Sequence, residues 1–267
     1  MGRLDDTTAI ISGTGSGIGW AAAQRFVDEG ATVIGVEFDA ERAAAAESEL
    51  GVVAVVGSVD DPGTWERAVA AADEHGGARI AYLNAGVYGF TGPIDELPLD
   101  LFRRTVGANI DGVVLGARAV VPGMRARGGG ALVATASVAG IVAFSPNPLY
   151  TLTKQAVTGF VQALAPDLAA DQITFNAVCP GVVDTPMTVG AMGGGNLADL
   201  GFTLIEPATI AGVALDLATG DRTGRCVAVL PGREPIDWRF PDWSDLAAAG
   251  SGSAWSDRAD SDPAGSP

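Results

Sequence analysis

Short apolar, β-branched runs alternate along this chain with longer stretches in which apolar positions recur at helical spacing. Residues 7–12, 32–37, 52–56, 80–83, 131–136, 173–178 and 225–230 are runs of the first kind and predict buried strands. Between them, residues 20–29, 40–50, 62–75, about 99–127, about 149–170 and 207–218 predict helices, with Gly30 and Gly51 as stop signals. Strand and helix in this alternation predict an α/β protein with a parallel sheet of about seven strands and helices on both faces, in three layers. Two places strain the pattern. The long helical region of about 99–127 is expected to be broken at a point the pattern does not place. Pro166 falls inside the helix that begins near Leu149, where it removes a hydrogen bond and crowds the preceding turn, so a kink or early break is expected near Gln162–Asp167.

The pattern ends near residue 232. Residues 1–232 predict one domain, and 233–267 predict an extension. Its first part carries Trp238, Phe240 and Trp243 among prolines and aspartates, which predicts docking on the pocket mouth or on a neighbouring subunit. After Ala247 the composition turns to Gly, Ser and Asp and predicts a flexible end.

Composition narrows the function classes. With 48% hydrophobic and 18% charged residues, the 267-residue chain fills a core and is not globally disordered. A formal net charge of −16 repels nucleic acid and anionic membrane, so neither is expected as a partner. No apolar run is long enough to span a bilayer, and the start has no apolar secretory core. Cys179 and Cys226 lie in apolar strand-like segments without Cys-x-x-Cys spacing. They predict buried free thiols in a reducing cytoplasm and no metal site.

Four stretches carry candidate chemistry. Gly13-Thr14-Gly15-Ser16-Gly17-Ile18-Gly19 joins the first strand to the first helix, a context in which backbone amides and a helix N-terminus meet a pyrophosphate. Gly13 permits the tight turn, Gly17 the close approach, and Gly19 the packing of helix on strand. Glu37 closes the second strand, where a carboxylate accepts from both ribose hydroxyls of an adenosine and repels a 2′-phosphate. The nearest basic residue following it is Arg42, so NAD is expected over NADP. Asn84-Ala85-Gly86 follows the fourth strand with small residues that leave room for a ligand. Tyr150 and Lys154 stand at i and i+4, one helical turn apart, and Lys154 is the only lysine in the chain. A neighbouring ammonium is expected to pull the phenol down from its ordinary value of about 10 and make it a usable acid/base.

With Ser12-Gly13-x-x-x-Gly17-Ile18-Gly19, Asn84-Ala85-Gly86, Asn109, Ser137, Tyr150-x-x-x-Lys154, and Pro180-Gly181 with Thr185, the chain resembles the short-chain dehydrogenase/reductase family over about residues 4–232. The resemblance implies a Rossmann-like doubly wound fold and hydride transfer between NAD and an alcohol or ketone. It implies that Tyr150 is the acid/base, that Lys154 tunes it and binds the nicotinamide ribose, that Ser137 holds the substrate oxygen, and that Asn109 positions a helix irregularity and a water chain. It places Gly13, Ser16, Gly17, Ile18, Glu37, Phe38, Ser58, Val59, Asn84, Ala85 and Gly86 on the cofactor. Pro180, Gly181, Val183 and Thr185 fall on its nicotinamide side. Leu83 and Ser58 depart from the family, which usually has Asn and Asp there; a serine can still hydrogen-bond the adenine amine, so a weakened contact and not lost binding is expected. The family's usual assembly makes a homotetramer, or a dimer, the expected state.

The substrate is expected to meet Ala139, Phe144 and Asn147, with Tyr88 and Phe90 as aromatic wall. After Pro186 a loop with Met187, Met192, Leu197, Leu200 and Phe202, hinged at Gly193-Gly194-Gly195, is expected to form a mobile lid. No arginine stands among these residues, so the small-molecule substrate is expected to be an uncharged, largely apolar secondary alcohol or ketone, cyclic, terpenoid- or steroid-like. The alternatives are a diol or sugar dehydrogenase, a 3-oxoacyl-carrier-protein reductase, which Glu37 and the acidic charge oppose, and a dinucleotide-sensing protein without activity.

Overall fold

The computed structural model describes residues 2–191 and 203–241. A first compact unit spans Met1–Asp237 and a second Trp238–Pro267. In the first, β1 (Thr8–Ser12), β2 (Thr32–Glu37), β3 (Val53–Val56), β4 (Ala78–Leu83), β5 (Gly130–Thr135), β6 (Ile173–Pro180) and β7 (Cys226–Val229) alternate with helices. A three-residue strand β8 (Ile236–Trp238) makes the sheet eight-stranded, in the order β3-β2-β1-β4-β5-β6-β7-β8. The strand pairs from β3 to β7 are all parallel. The expected seven strands are thus joined by an eighth, too short and too exposed to leave an apolar run in the sequence.

Helices α1 (Gly17–Asp28), α2 (Ala40–Leu50), α3 (Pro62–Asp73), α4 (Leu99–Val106), α5 (Gly112–Ala126), α6 (Pro148–Ala169), α7 (Pro186–Ala191) and α8 (Pro207–Thr219) complete the first unit. On one face of the sheet α1 packs against α8 through Ala22, Ala23, Phe26, Ile210, Ala214 and Leu215. On the other, α3 packs on α5, α5 on β4, and α6 on β6. Chain direction across the sheet reverses between β1 and β4, and a crevice opens at the carboxyl ends of neighbouring strands at such a reversal.

The two strained places resolve differently. The stretch 99–127 is interrupted by a π-helical turn, Gly107–Asp111, between α4 and α5. At Pro166 the expected break is absent, and α6 runs unbroken for 22 residues. Pro166 is exposed, while Val161, Ala165 and Leu168 around it are buried. The carbonyl left without a donor therefore lies on the solvent side, and burial of both flanks holds the helix together against a local cost of about 3 kcal/mol. Another departure is α7, a short helix where a loop was expected to begin. Met192, Leu197, Leu200 and Phe202 of the expected lid, with its glycines, lie outside the described residues.

Candidate active site

A cleft of about 760 Å³ opens where β1 and β4 end. One end is built by the turn from β1 into α1. Gly13 and Gly17 there hold φ of +76° and +55°, a region that glycine adopts without strain. A Cβ at Gly19 would stand 1.9 Å from the Gly13 carbonyl oxygen, and one at Gly15 would meet both Glu37 and the Arg42 Cβ at 2.7 Å. The turn therefore tolerates no side chains at these points. No side chain caps the N-terminus of α1 at Ser16, and no acidic residue occupies its first turn. Uncapped amides and a positive dipole end facing a cleft of this size fit the pyrophosphate of a dinucleotide. Beside them Glu37 accepts from Gly15 N–H at 2.8 Å and Asp39 N–H at 3.1 Å, one bond to each oxygen, which leaves lone pairs on both for ribose hydroxyls.

The other end holds Tyr150, Ser137 and Lys154. Lys154 is buried and its Nζ donates to the Thr135 carbonyl at 2.8 Å, 5.6 Å from the centre of the Tyr150 ring. Burial lowers this ammonium to about 8. Burial also pushes the Tyr150 phenol up to about 12, with the hydrogen bond to the Ser137 side chain working against it and the neighbouring Tyr88 adding to it. The expectation that the lysine pulls the phenol below its ordinary value is thus reversed in the chain by itself. At this distance, and turned to a carbonyl, the ammonium does not outweigh desolvation. A phenol so held is a proton donor at neutral pH. The Ser137 hydroxyl, which also accepts from Ala139 N–H at 3.1 Å, stands beside it as a polar anchor for an oxygen.

Every residue assigned from the sequence to the cofactor, from Gly13 through Ser58 and Asn84 to Thr185, lines this one cleft. The substrate set divides. Met187 lines the cleft and is 40% exposed. Ala139 is buried, and neither it nor Phe144, Phe90 or Asn147 is part of the wall. Asn147, expected to face substrate, is instead fully buried, and its amide is spent on the backbones of Tyr150 and Tyr88. Met192 and Phe202 fall outside the described residues. Asn109, also fully buried, sits in the π-helical turn and holds Val87 by both N–H, 2.7 Å, and C=O, 2.9 Å, while donating to Thr153 at 3.0 Å.

Some of the supporting residues escaped sequence reasoning. The Thr135 hydroxyl is shared between Asn84 Oδ1, 2.9 Å, and the Tyr82 hydroxyl, 2.8 Å, while its carbonyl takes the lysine. Asn84 is fixed in turn by Ser12, whose hydroxyl accepts from Asn84 N–H at 2.9 Å and Ala85 N–H at 3.1 Å. The signal was present as a tyrosine near the end of β4 and a threonine at the end of β5, both otherwise largely apolar. Two arginines also line the cleft, Arg42 beside Gly15 and Arg104 on the face of α4 that carries Leu101. The second lies outside the set of residues assigned to the substrate from the sequence.

The short chain dehydrogenase profile matches residues 7–192. The chain is 38% identical over 192 residues to 2-(R)-hydroxypropyl-CoM dehydrogenase of Xanthobacter autotrophicus, across 67% of this chain and 76% of that one. It is 36% identical over 200 residues to 3beta-hydroxysteroid dehydrogenase of Mediterraneibacter gnavus, across 70% of each. The solved structure of levodione reductase superposes with a TM-score of 0.79 at 29% identity, covering 85% of this chain and 97% of that one. The profile match spans the glycine turn, Tyr150 and Lys154 on a parallel sheet of the same fold. The chain therefore belongs to the short-chain dehydrogenase/reductase family, oxidoreductases that bind a nicotinamide dinucleotide and act on alcohols and ketones.

Proposed function

We propose that the chain is an NAD-dependent dehydrogenase/ketoreductase acting on a secondary alcohol or ketone with a largely apolar, cyclic body. The observation that carries this reading is a single cleft with Glu37 at one end and the Tyr150–Ser137–Lys154 group at the other. When bound, the dinucleotide supplies the hydride acceptor or donor. The chain supplies orientation and the proton. Ser137 Oγ and Tyr150 Oη together bind the substrate oxygen. In reduction the phenol gives its proton to that oxygen as the carbon receives hydride. In oxidation the deprotonated Tyr150 Oη takes the proton of the carbinol oxygen as the carbon gives up hydride. Lys154, held to Thr135, keeps a positive charge within one helical turn of the phenolate so formed.

NAD is favoured because the carboxylate of Glu37 would face a 2′-phosphate. Two like charges about 4 Å apart cost between roughly 1 and 4 kcal/mol, at least about a fivefold preference. Arg42 in the same wall reduces the margin without reversing it. An apolar substrate is supported by Leu101, Tyr88, Val183 and Met187 in the wall, and a cyclic one by the likeness to a 3beta-hydroxysteroid dehydrogenase.

The test is a turnover screen by NADH absorbance with cyclohexanol, a 3β-hydroxysteroid, 2-butanol, sorbitol and 4-hydroxycyclohexanecarboxylate, each with NAD and NADP. The cyclic apolar alcohols with NAD are expected to have the highest kcat/KM, and Glu37→Gln is expected to narrow the NAD preference about fivefold. Sorbitol as the best substrate would overturn the substrate class, and NADP as the better cofactor would overturn the role of Glu37. A second reading has its own support in Arg104, an exposed guanidinium on the cleft wall of an acidic protein. It makes the substrate a cyclic alcohol with a distal carboxylate or sulfonate. In that case 4-hydroxycyclohexanecarboxylate exceeds cyclohexanol, and Arg104→Gln removes the difference.

A further inference from the structure

Asn147 joins two parts of the site. Its Oδ1 accepts the backbone N–H of Tyr150 at 2.9 Å and so caps α6. Its Nδ2 donates to the Tyr88 carbonyl at 2.8 Å. The side chain is fully buried, so water cannot replace either bond at low cost. Asn109 holds the preceding residue, Val87, by both of its backbone groups. Two buried asparagines therefore grip consecutive residues of the segment after β4, in the place where a neighbouring strand would otherwise satisfy the backbone. The result is a placed ring: Tyr88 stands with its centroid 5.3 Å from that of Tyr150, tilted by 41°, and both line the cleft.

We propose that Asn147 is a positioning residue for the reaction, registering the Tyr88 ring against the Tyr150 phenol, and that this ring sets which substrate shapes reach the phenol. The inference rests on the reading of Tyr150 as the acid/base. Tyr150 lies in the first turn of α6, the part of a helix with unpaired amides and a tendency to fray. A cap on its own N–H fixes the Cα from which the phenol extends. The same amide group then fixes the opposing wall, so the gap between the two rings is set by one side chain and not by a loop. Displacements of about 1 Å in such a gap change rates by up to about 10²-fold. Tyr88 presents an aromatic surface beside the reacting oxygen, which a cyclic apolar body covers and a small acyclic alcohol does not.

Asn147→Ser separates the two bonds. Serine still accepts at the cap position but is too short to reach the Tyr88 carbonyl. With cyclohexanol and 2-butanol as probes and saturating NAD, kcat/KM for cyclohexanol is expected to fall about tenfold and that for 2-butanol less than threefold. NADH affinity should stay within twofold. Tyr88→Ala should show the same loss of discrimination, and the double variant should be no worse than Tyr88→Ala alone. Equal losses on both alcohols, or losses that multiply in the double variant, would overturn the inference and leave Asn147 a helix cap only. If Asn147→Ser does not fold, Tyr88→Ala carries the test, since it leaves the Asn147 cap and the Tyr88 carbonyl in place; an unchanged cyclohexanol-to-butanol ratio would sink the proposal. Failure of the underlying reading looks different: Tyr150→Phe would then turn over like wild type, or neither alcohol would be oxidised at all.

Discussion

Tyr150→Phe is expected to lower kcat by about 10²–10⁴-fold, the usual worth of a positioned acid/base, while NADH binds within twofold of wild type. The substitution removes one oxygen and keeps the ring that packs against Tyr88 at 5.3 Å, so the cleft should keep its shape. No neighbour replaces the lost group. The Ser137 hydroxyl is a far weaker acid at neutral pH, and the Lys154 ammonium is turned to the Thr135 carbonyl. The wild-type pH profile has a sign as well. Because burial holds the phenol protonated, reduction should be insensitive to pH through neutrality, whereas oxidation, which needs the deprotonated form, should speed up as pH rises. Steady-state rates in both directions, with NADH fluorescence titration for binding, read all of this. Turnover by Tyr150→Phe within tenfold of wild type would remove Tyr150 from the mechanism.

How far the sequence alone led depends on which physical term dominates at each residue. Strand and helix placement followed from periodicity, because the apolar runs are largely buried in a parallel sheet and leave an unmixed signal, whereas the order of the strands in the sheet came only with the structure. The glycine turn was equally legible: Gly19 without a side chain is demanded by a carbonyl 1.9 Å from where the Cβ would stand. Pro166 was misread because local cost was weighed without knowing that the proline sits on the solvent face of a helix pinned on both sides. Asn147 was misread for a related reason. A polar residue three positions before Tyr150 resembles a substrate contact as much as a cap, and only the position of the Tyr88 carbonyl decides between them. The direction of the Tyr150 shift depends on how much water the fold excludes, and spacing on a helix carries no such information. Arg104 was missed because the third dimension alone brings α4 to the cleft.

The lysine that stands alone in the sequence supplies the second large effect. Lys154→Met is expected to raise stability at pH 7 by about 2 kcal/mol and to cost at least about 10²-fold in turnover. Burial lowers the ammonium from 10.5 to about 8 in the folded chain, so below pH 8 the folded state carries the full penalty of keeping it charged, roughly 3 kcal/mol. Methionine has similar length and no charge; it leaves the Thr135 carbonyl without its donor, which returns about 1 kcal/mol of the gain. The sign of the pH dependence follows. Between about pH 8 and 10.5 the unfolded chain still binds the proton that the folded chain has released, so this group makes stability rise with pH across that window. Tyr150 acts in the opposite sense, because its folded value lies above its unfolded value of 10 and stability falls as the unfolded phenol ionises. The Cys179 thiol does the same from about 9, raised by its hydrogen bond to Cys226 and by burial. Removing Lys154 also removes a charge that lowers the Cys179 thiol, so both curves are measured in a Cys179→Ala background, where their difference isolates the lysine. Urea unfolding followed by tryptophan fluorescence should show Lys154→Met ahead at pH 7, with the gap closing steadily above pH 8. A variant less stable at pH 7, or a gap constant from pH 7 to 10, would mean that the ammonium is not penalised by burial. A gap that closes, joined to lost turnover, would mean that this chain keeps its one lysine against its own stability because the phenolate one turn away needs the charge.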